Sequence, residues 1–284
     1  MPSLNSTVLM SGADYFDVVD LNPHSHKITG VDRQRAMAEH AAIRQAFEAA
    51  GIRVIKVDPP ADCQDGIFTA NWGLNRGNRV VLSNLPGPRK GEEPYAKEVL
   101  KNLGKEFVEA PYRFSGQGDA LPCGNYLFVG SNYRTDPRMH QFLADQFGYE
   151  VISVTAVPEL DSNGQPVTNA LSGWPDSFFY DLDLAIAILR DDLIAWCPEA
   201  LTPDSQVKIR QLPIEKIEVS LDEATKGFAC NLVSTGETVI MSAHAPELQK
   251  NIEAEGLKTI TPNVSELGKG GGYIRCTSLT LSNN

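Results

Sequence analysis

The sequence predicts an α/β fold in which five similar units close into a ring. The first observation is a recurring order: a short apolar strand, a small polar residue, a loop, an amphipathic helix, a glycine and another strand. The second is composition within that order, because the strand segments are β-branched and aromatic runs and the helical segments carry apolar residues at three- and four-residue spacing. The third is divergence. The copies are too few and too different for a solenoid of smooth period, yet no copy can bury its own apolar face alone. A closed ring whose loops meet at a central axis satisfies all three.

The units follow one another along the chain. The N-terminal region supplies a helix predicted over residues 31–50, then Gly51 and the strand "IRVIKV". Met37, Ala41, Ile43, Phe47 and Ala50 form the expected apolar face of that helix. The strand "RVVLSN" (79–84) precedes a helix over 92–102, Gly104 and "EFVEA". The strand "YLFVGSN" (126–132) precedes a helix over 137–147, Gly148 and "EVISV". The segment "LIAWCPE" (193–199) leads through Pro203 to a helix near 205–211 and the strand "IEKIEV". The last copy is "TVIMSAH" (238–244), a helix over 246–254, Gly256 and "LKTIT". A glycine after a helix supplies the left-handed cap that ends it. Residues 161–169, "DSNGQPVTN", read as a surface loop. No low-complexity linker interrupts the chain, so a single domain over 1–284 is expected.

Bulk properties narrow the function. The chain has 284 residues, 42% hydrophobic and 21% charged, as in soluble globular proteins with a substantial core. A formal net charge of −11 with scattered lysines and arginines argues against nucleic acid or an anionic membrane as partner. There is no long apolar run and no basic-then-apolar leader. The five cysteines (Cys63, Cys123, Cys197, Cys230, Cys276) are odd in number and lack CxxC spacing. That disfavours a zinc site or a disulfide framework and favours a reducing cytoplasm. A homodimer would be an ordinary assembly for a chain of this size.

The candidate chemistry lies in the polar punctuation between units. "CQDGIFTANWG" (63–73) carries Asp65, Phe68 and Asn71; "FSGQGDAL" (114–121) places Asp119 where a strand begins; "GSNYRTD" (130–136) puts Arg134 in the loop after a strand. "FFYDLDLAIAIL" (178–189) sets Asp181 and Asp183 on one side of an expected strand, by the period of two. Cys276 follows three glycines in "GKGGGYIRC". Singly, each has a plain reading: Asp119 as a turn residue, Arg134 as a surface cation, Cys276 as a buried structural thiol. The two aspartates alone do not make a hard-metal loop, and the glycines are no P-loop, since the lysine precedes them. No cofactor is expected.

Together and in this order, "xDGIFTAN", "GxGDAL", "GSxxRT", "FYxLDxA" and "KGGGxxRC" resemble the pentein superfamily over nearly the whole chain. That superfamily includes dimethylarginine dimethylaminohydrolases, arginine deiminases, arginine dihydrolases and amidinotransferases. The resemblance implies a five-fold pseudosymmetric α/β propeller of ββαβ-type units and a small guanidino substrate. It implies that Cys276 is the nucleophile, forming a covalent S-alkylthiouronium intermediate. By the same resemblance Asn71 and Asp183 hydrogen-bond the guanidinium, Arg134 takes the α-carboxylate, and Asp65 lies near the α-amino end. Phe68 would line the pocket and Asp119 would support the site without reacting.

Two departures stand out. Relatives keep a histidine, the general acid and base, two residues before the substrate-binding aspartate; here Asp181 occupies that position. They also keep an acid before the Gly-x-Gly-Asp run, where this chain has Ser115, with Gln117 nearby. Asp181 can move protons only if burial lifts it from the ordinary carboxylate range near 3.9. His244, at the repeat position of Asn84 and Asn132, is the other candidate for that work. The leading expectation is a hydrolase of non-peptide C–N bonds acting on arginine or a modified arginine, with Cys276 and Asp181 catalytic. An amidinotransferase using the same cysteine, or a non-catalytic pentein binding a guanidino ligand or partner protein, remains open at this stage.

Overall fold

The computed structural model describes residues 4–18, 30–170 and 173–282, so His24 and His26 lie outside it. The N-terminal unit contributes β1 (Thr7–Met10), α1 (Arg33–Ala49) and β2 (Arg53–Lys56). The second contains β3 (Gly73–Arg76), β4 (Arg79–Leu82), α2 (Glu92–Asn102) and β5 (Glu106–Glu109). The third contains β6 (Ala120–Cys123), β7 (Tyr126–Gly130), α3 (Met139–Phe147) and β8 (Glu150–Val154). The fourth contains β9 (Ile186–Arg190), β10 (Leu193–Trp196), α4 (Pro203–Gln211) and β11 (Glu215–Glu218). After the short α5 (Leu221–Lys226), the fifth contains β12 (Val233–Ser234), β13 (Thr238–Ile240), α6 (Pro246–Ala254) and β14 (Lys258–Ile260).

The final strand, β15 (Leu279–Thr280), returns to pair antiparallel with β1, which itself runs parallel to β2. Both ends of the described chain thus build one sheet, and the five-fold α/β ring of three-stranded ββαβ sheets is complete. In every sheet the first two strands are antiparallel and the third is parallel to the second, reached through the crossover helix. A parallel partner requires such a crossover, which is why each helix falls between the second and third strands. Gly51, Gly104, Gly148 and Gly256 follow α1, α2, α3 and α6 with positive φ, as the left-handed cap demands.

Apolar side chains pack between each sheet and its helix, with Trp72, Trp196, Phe47, Phe114 and Phe128 among the largest that are fully buried. Each such burial is worth about 1.5–3 kcal/mol. Two expectations are corrected. The buried face of α1 is Ala36, Glu39, His40, Ile43, Ala46 and Phe47, and Met37 is exposed. Glu39 displaces the purely apolar stripe because its carboxylate accepts from the Ser265 and Glu266 N–H groups. Asp181 and Asp183 are not on a strand: Asp181 precedes a 3-10 turn over Leu182–Leu184, and β9 starts only at Ile186. The 161–169 stretch is an exposed arm, bridged at Leu160–Pro166 and Thr168–Pro175. No helix among the described residues is long and apolar enough to cross a membrane.

Candidate active site

Turns of the same kind enter the first strand of other units: Thr69–Trp72 before β3, Gly116–Gly118 before β6 and Arg275–Thr277 before β15. The Thr69–Trp72 turn touches those at Gly116–Gly118 and Arg275–Thr277, and Gly116–Gly118 touches Leu182–Leu184. A 3-10 turn is tight enough to project one side chain and then release the chain into a strand. That is how residues more than two hundred positions apart meet.

Asn71 is oriented by a residue that sequence reasoning passed over. Arg89, buried at the end of a turn over Gly87–Arg89, donates to Asn71 Oδ1 at 2.7 Å and to the Asp65 and Phe68 carbonyls at 3.1 and 3.2 Å. It also forms a bidentate pair with buried Glu92, both bonds at 2.7 Å, and Glu92 accepts from Trp72 Nε1 at 3.0 Å. Burial works against the Arg89 cation, but Glu92 more than offsets it and leaves the guanidinium more basic than usual. With its oxygen committed, Asn71 points Nδ2 at Ser115 O and Oγ (3.0 and 2.9 Å) and at Asp181 Oδ2 (2.8 Å). Gly118 lies beneath this contact, and a Cβ there would clash with Asn71 Nδ2 and stand 2.8 Å from Asp181 Oδ2. The Arg-x-x-Glu spacing at the start of α2 was the available signal for Arg89.

Asp181 is buried, and Arg134 approaches it to 4.0 Å while its guanidinium lies 4.0 Å over the Tyr180 ring. Asp119 accepts from the Leu182 N–H at 3.0 Å, which holds the turn carrying Asp183. Burial and the neighbouring Asp181 charge push the Asp119 carboxyl well above its ordinary range. Asp65 is half-buried with its carboxyl raised by burial, in the fields of Arg89 and Arg134.

Asp183 reaches the thiol directly. Cys276 Sγ stands 3.4 Å from Asp183 Oδ2 and accepts from Asn231 Nδ2 at 3.1 Å. Burial and the charge of Asp181 raise the Asp183 carboxyl to about 8. Burial and the charge of Asp183 likewise hold the Cys276 thiol well above its ordinary range. Arg275 turns away from the thiol to Gln117 Oε1 and Thr280 Oγ1, both at 3.0 Å. Gln117 therefore anchors the turn that carries Cys276 to β15, while Ser115 is the residue that touches Asn71. Asp181 Oδ1 and Asp183 Oδ1 are buried without a hydrogen-bond partner. Each such orphan costs about 1–3 kcal/mol, a cost that a planar cation rich in N–H donors would remove.

The glycine run serves aromatic packing as well as a turn. Gly271 takes a left-handed φ of 82°, and its carbonyl accepts from Tyr180 OH at 2.7 Å. A Cβ at Gly272 would stand 2.8 Å from Phe68 Cδ1, and one at Gly270 2.8 Å from Phe16 Cε2. Phe68 is buried edge-on to Phe16, underneath the glycine loop that leads to Cys276. His244 is exposed at the start of α6, with its main-chain N–H on Ser242 Oγ. Among the described residues no group of three or more His, Cys, Asp or Glu is placed to hold a metal ion.

A family model described as eukaryotic N,N dimethylarginine dimethylhydrolase matches residues 22–282. The N(G),N(G)-dimethylarginine dimethylaminohydrolase of Mycobacterium tuberculosis is 29% identical over 262 residues, covering 92% of this chain and 80% of that protein. The bifunctional arginine dihydrolase/ornithine cyclodeaminase AgrE of a Nostoc species is 30% identical across 96% of this chain, which spans 37% of AgrE. Among solved structures, the N-terminal domain of ArgZ, a cyanobacterial arginine dihydrolase, aligns with a TM-score of 0.86 at 27% identity over 98% of both chains, in a cysteine-to-serine variant bound to substrate. An asparagine-to-serine variant of that domain, aligned equally well, is covalently bound to a reaction intermediate. The chain belongs to the dimethylarginine dimethylhydrolase family, within the pentein fold.

Proposed function

We propose that this chain, an enzyme of its family's C–N hydrolase kind, acts on the guanidino group of arginine or a modified arginine through a covalent Cys276 intermediate. The observation that carries the reading is the thiol of Cys276 set 3.4 Å from Asp183, beside buried carboxylate oxygens that lack partners. Relatives of this chain act on dimethylarginine and on arginine, and one holds a covalent intermediate.

Without ligand, Asp183 and Cys276 are both held towards their protonated forms. A guanidinium entering against Asp183 and Asn71 supplies the positive charge that lets both ionise. The Cys276 thiolate then attacks the guanidinium carbon, and the electron pair of the C=N bond moves to nitrogen. The proton released by the Cys276 thiol passes to the Asp181 carboxylate; collapse of the tetrahedral adduct then breaks one C–N bond, and the departing ammonia or amine takes that proton from Asp181. Water adds to the thiouronium carbon, losing its proton to Asp181, and cleavage of the C–S bond returns the thiolate and a ureido product. Asp181 is buried, and the Asn71 Nδ2 donor at 2.8 Å fixes the direction of its carboxylate. Arg134 exchanges its contact with Asp181 for the substrate's α-carboxylate, a planar fork meeting a carboxylate. Asp65 faces the α-amino end.

The test is a panel of guanidino compounds scored for citrulline, ornithine, urea, ammonia and amine, with and without an acceptor amine. Turnover is expected with arginine or a methylated arginine, abolished in Cys276→Ala and reduced at least about 100-fold in Asp181→Asn. Full activity in either variant would overturn the mechanism, and product formed only with an acceptor amine would make the chain a transferase.

A further inference from the structure

We propose that Asn231 is a positioning residue for the nucleophile, fixing the Cys276 thiol and lowering the energy of its thiolate. The inference rests on the role given to Cys276 above.

Three hydrogen bonds tie Asn231 to the two sides of the thiol. Its Nδ2 donates to Cys276 Sγ at 3.1 Å and, at 3.4 Å, to the main-chain carbonyl of Asp183. Its Oδ1 accepts from the Cys276 N–H at 3.2 Å. The Arg275 N–H in turn donates to the Asn231 carbonyl at 3.3 Å. The amide orientation is therefore set, because only the nitrogen can serve the sulfur and the Asp183 carbonyl while the oxygen serves an N–H. Asn231 is completely buried, so these bonds act without competition from water.

The ring gives an independent reason. Asn71, Asp119, Asp183 and Cys276 each sit one to three residues before the first strand of their unit. Asn231 sits two residues before β12 and is the corresponding residue of the fifth unit. The equivalent position thus supplies Asn71, Asp183 and Cys276 to the site and Asp119 to the turn that carries Asp183, and in the fifth unit it supplies the donor to the sulfur. Sulfur is a weak acceptor as a thiol and a strong one as a thiolate, so a donor aimed at it favours ionisation. The acceptor on its other side, Asp183, opposes ionisation until a cation arrives. Asn231 is the neutral group that keeps Sγ aimed during that exchange.

The test reads the thiol rather than turnover. Alkylation of Cys276 by a chloroacetamidine is followed by peptide mass against pH in the wild-type chain, Asn231→Leu and Asn231→Asp. A hydrogen bond to a charged acceptor corresponds to about one to two pH units. Both variants are expected to shift the alkylation profile upward by that amount and to slow labelling at neutral pH about 10- to 100-fold. A role confined to stability would lower the melting temperature and leave the profile in place, and that result would overturn the proposal. Asn231→Asp preserves side-chain volume and decides the matter if the leucine variant fails to fold. Because the profile needs no substrate, a panel without turnover would count against the proposed function and leave this measurement intact.

Discussion

Asp183 and Arg134 show how single groups set the behaviour of the site. Asp183 titrates at about 8 in the folded chain, against an ordinary carboxylate in the unfolded one. Between those values the folded state holds a proton that the unfolded state has lost, so its contribution to stability falls as pH rises through the window. The wild-type melting temperature should therefore fall between pH 5 and about 8.5 more steeply than that of Asp183→Asn, which cannot titrate. Activity should move the other way, because kcat/KM requires ionised Asp183 and should climb towards about pH 8. A wild-type stability slope no steeper than that of Asp183→Asn would contradict the assignment. Arg134 is tested by a substrate pair. Arg134→Ala should raise KM for arginine about 10-fold or more, yet leave agmatine, which lacks the α-carboxylate, within about 2-fold. Equal losses on both would place Arg134 at the reacting end, beside Asp181, rather than at the carboxylate.

At the level of elements, strands and helices were legible and the turns that carry chemistry were not. The helix over 92–102 and that over 246–254 match α2 and α6 to the residue, because apolar spacing marks their spans, Gly104 and Gly256 mark their C-terminal ends and Pro246 marks the start of α6. A 3-10 turn of three or four residues has no period to read, which is why Asp181 and Asp183 were expected on a strand. Asn231 was missed for the same reason: "FACNLVS" reads as the start of a strand, and only comparison of repeat positions separates Asn231 from its neighbours. Arg89 lies outside the motifs, in a short turn without a period of its own, yet this arginine three residues before a buried glutamate holds Asn71 in place. The glycine loop was legible as a close approach, but the approaching groups include the Phe16 and Phe68 rings as well as any ligand. Gly272→Ala should consequently destabilise the chain by about 1–3 kcal/mol through overpacking and displace Cys276. Adding Phe68→Leu should recover part of that loss, as thermal unfolding of the single and double variants would show. Additive losses would mean that the ring and the glycine do not share one space.

For the whole molecule, the site depends on ring closure, because Cys276 lies three residues before the strand that closes it. β15 completes the first sheet on β1, and Thr280 binds Gln117 through both its N–H and its carbonyl, at 2.8 and 2.9 Å. Leu279 and Leu281 pack with Leu9, Trp72 and Val80. Two buried leucines contribute about 3–6 kcal/mol together, against a typical total stability of about 5–15 kcal/mol. A chain ending at Ser278 should therefore lose most of its cooperative unfolding transition, and its Cys276 should be alkylated as fast as an unfolded thiol. Leu279→Ala, a milder cut at the same joint, should cost about 2–5 kcal/mol. Shortening the exposed arm at residues 162–164 makes the contrasting case, since its side chains are exposed and lie outside the ring's core. That variant should melt within a few degrees of the wild type and label at Cys276 at the same rate. If the chain ending at Ser278 instead melted like the wild type with a slow thiol, the geometry around Cys276 would have to be held by the turns alone, without the closing strand.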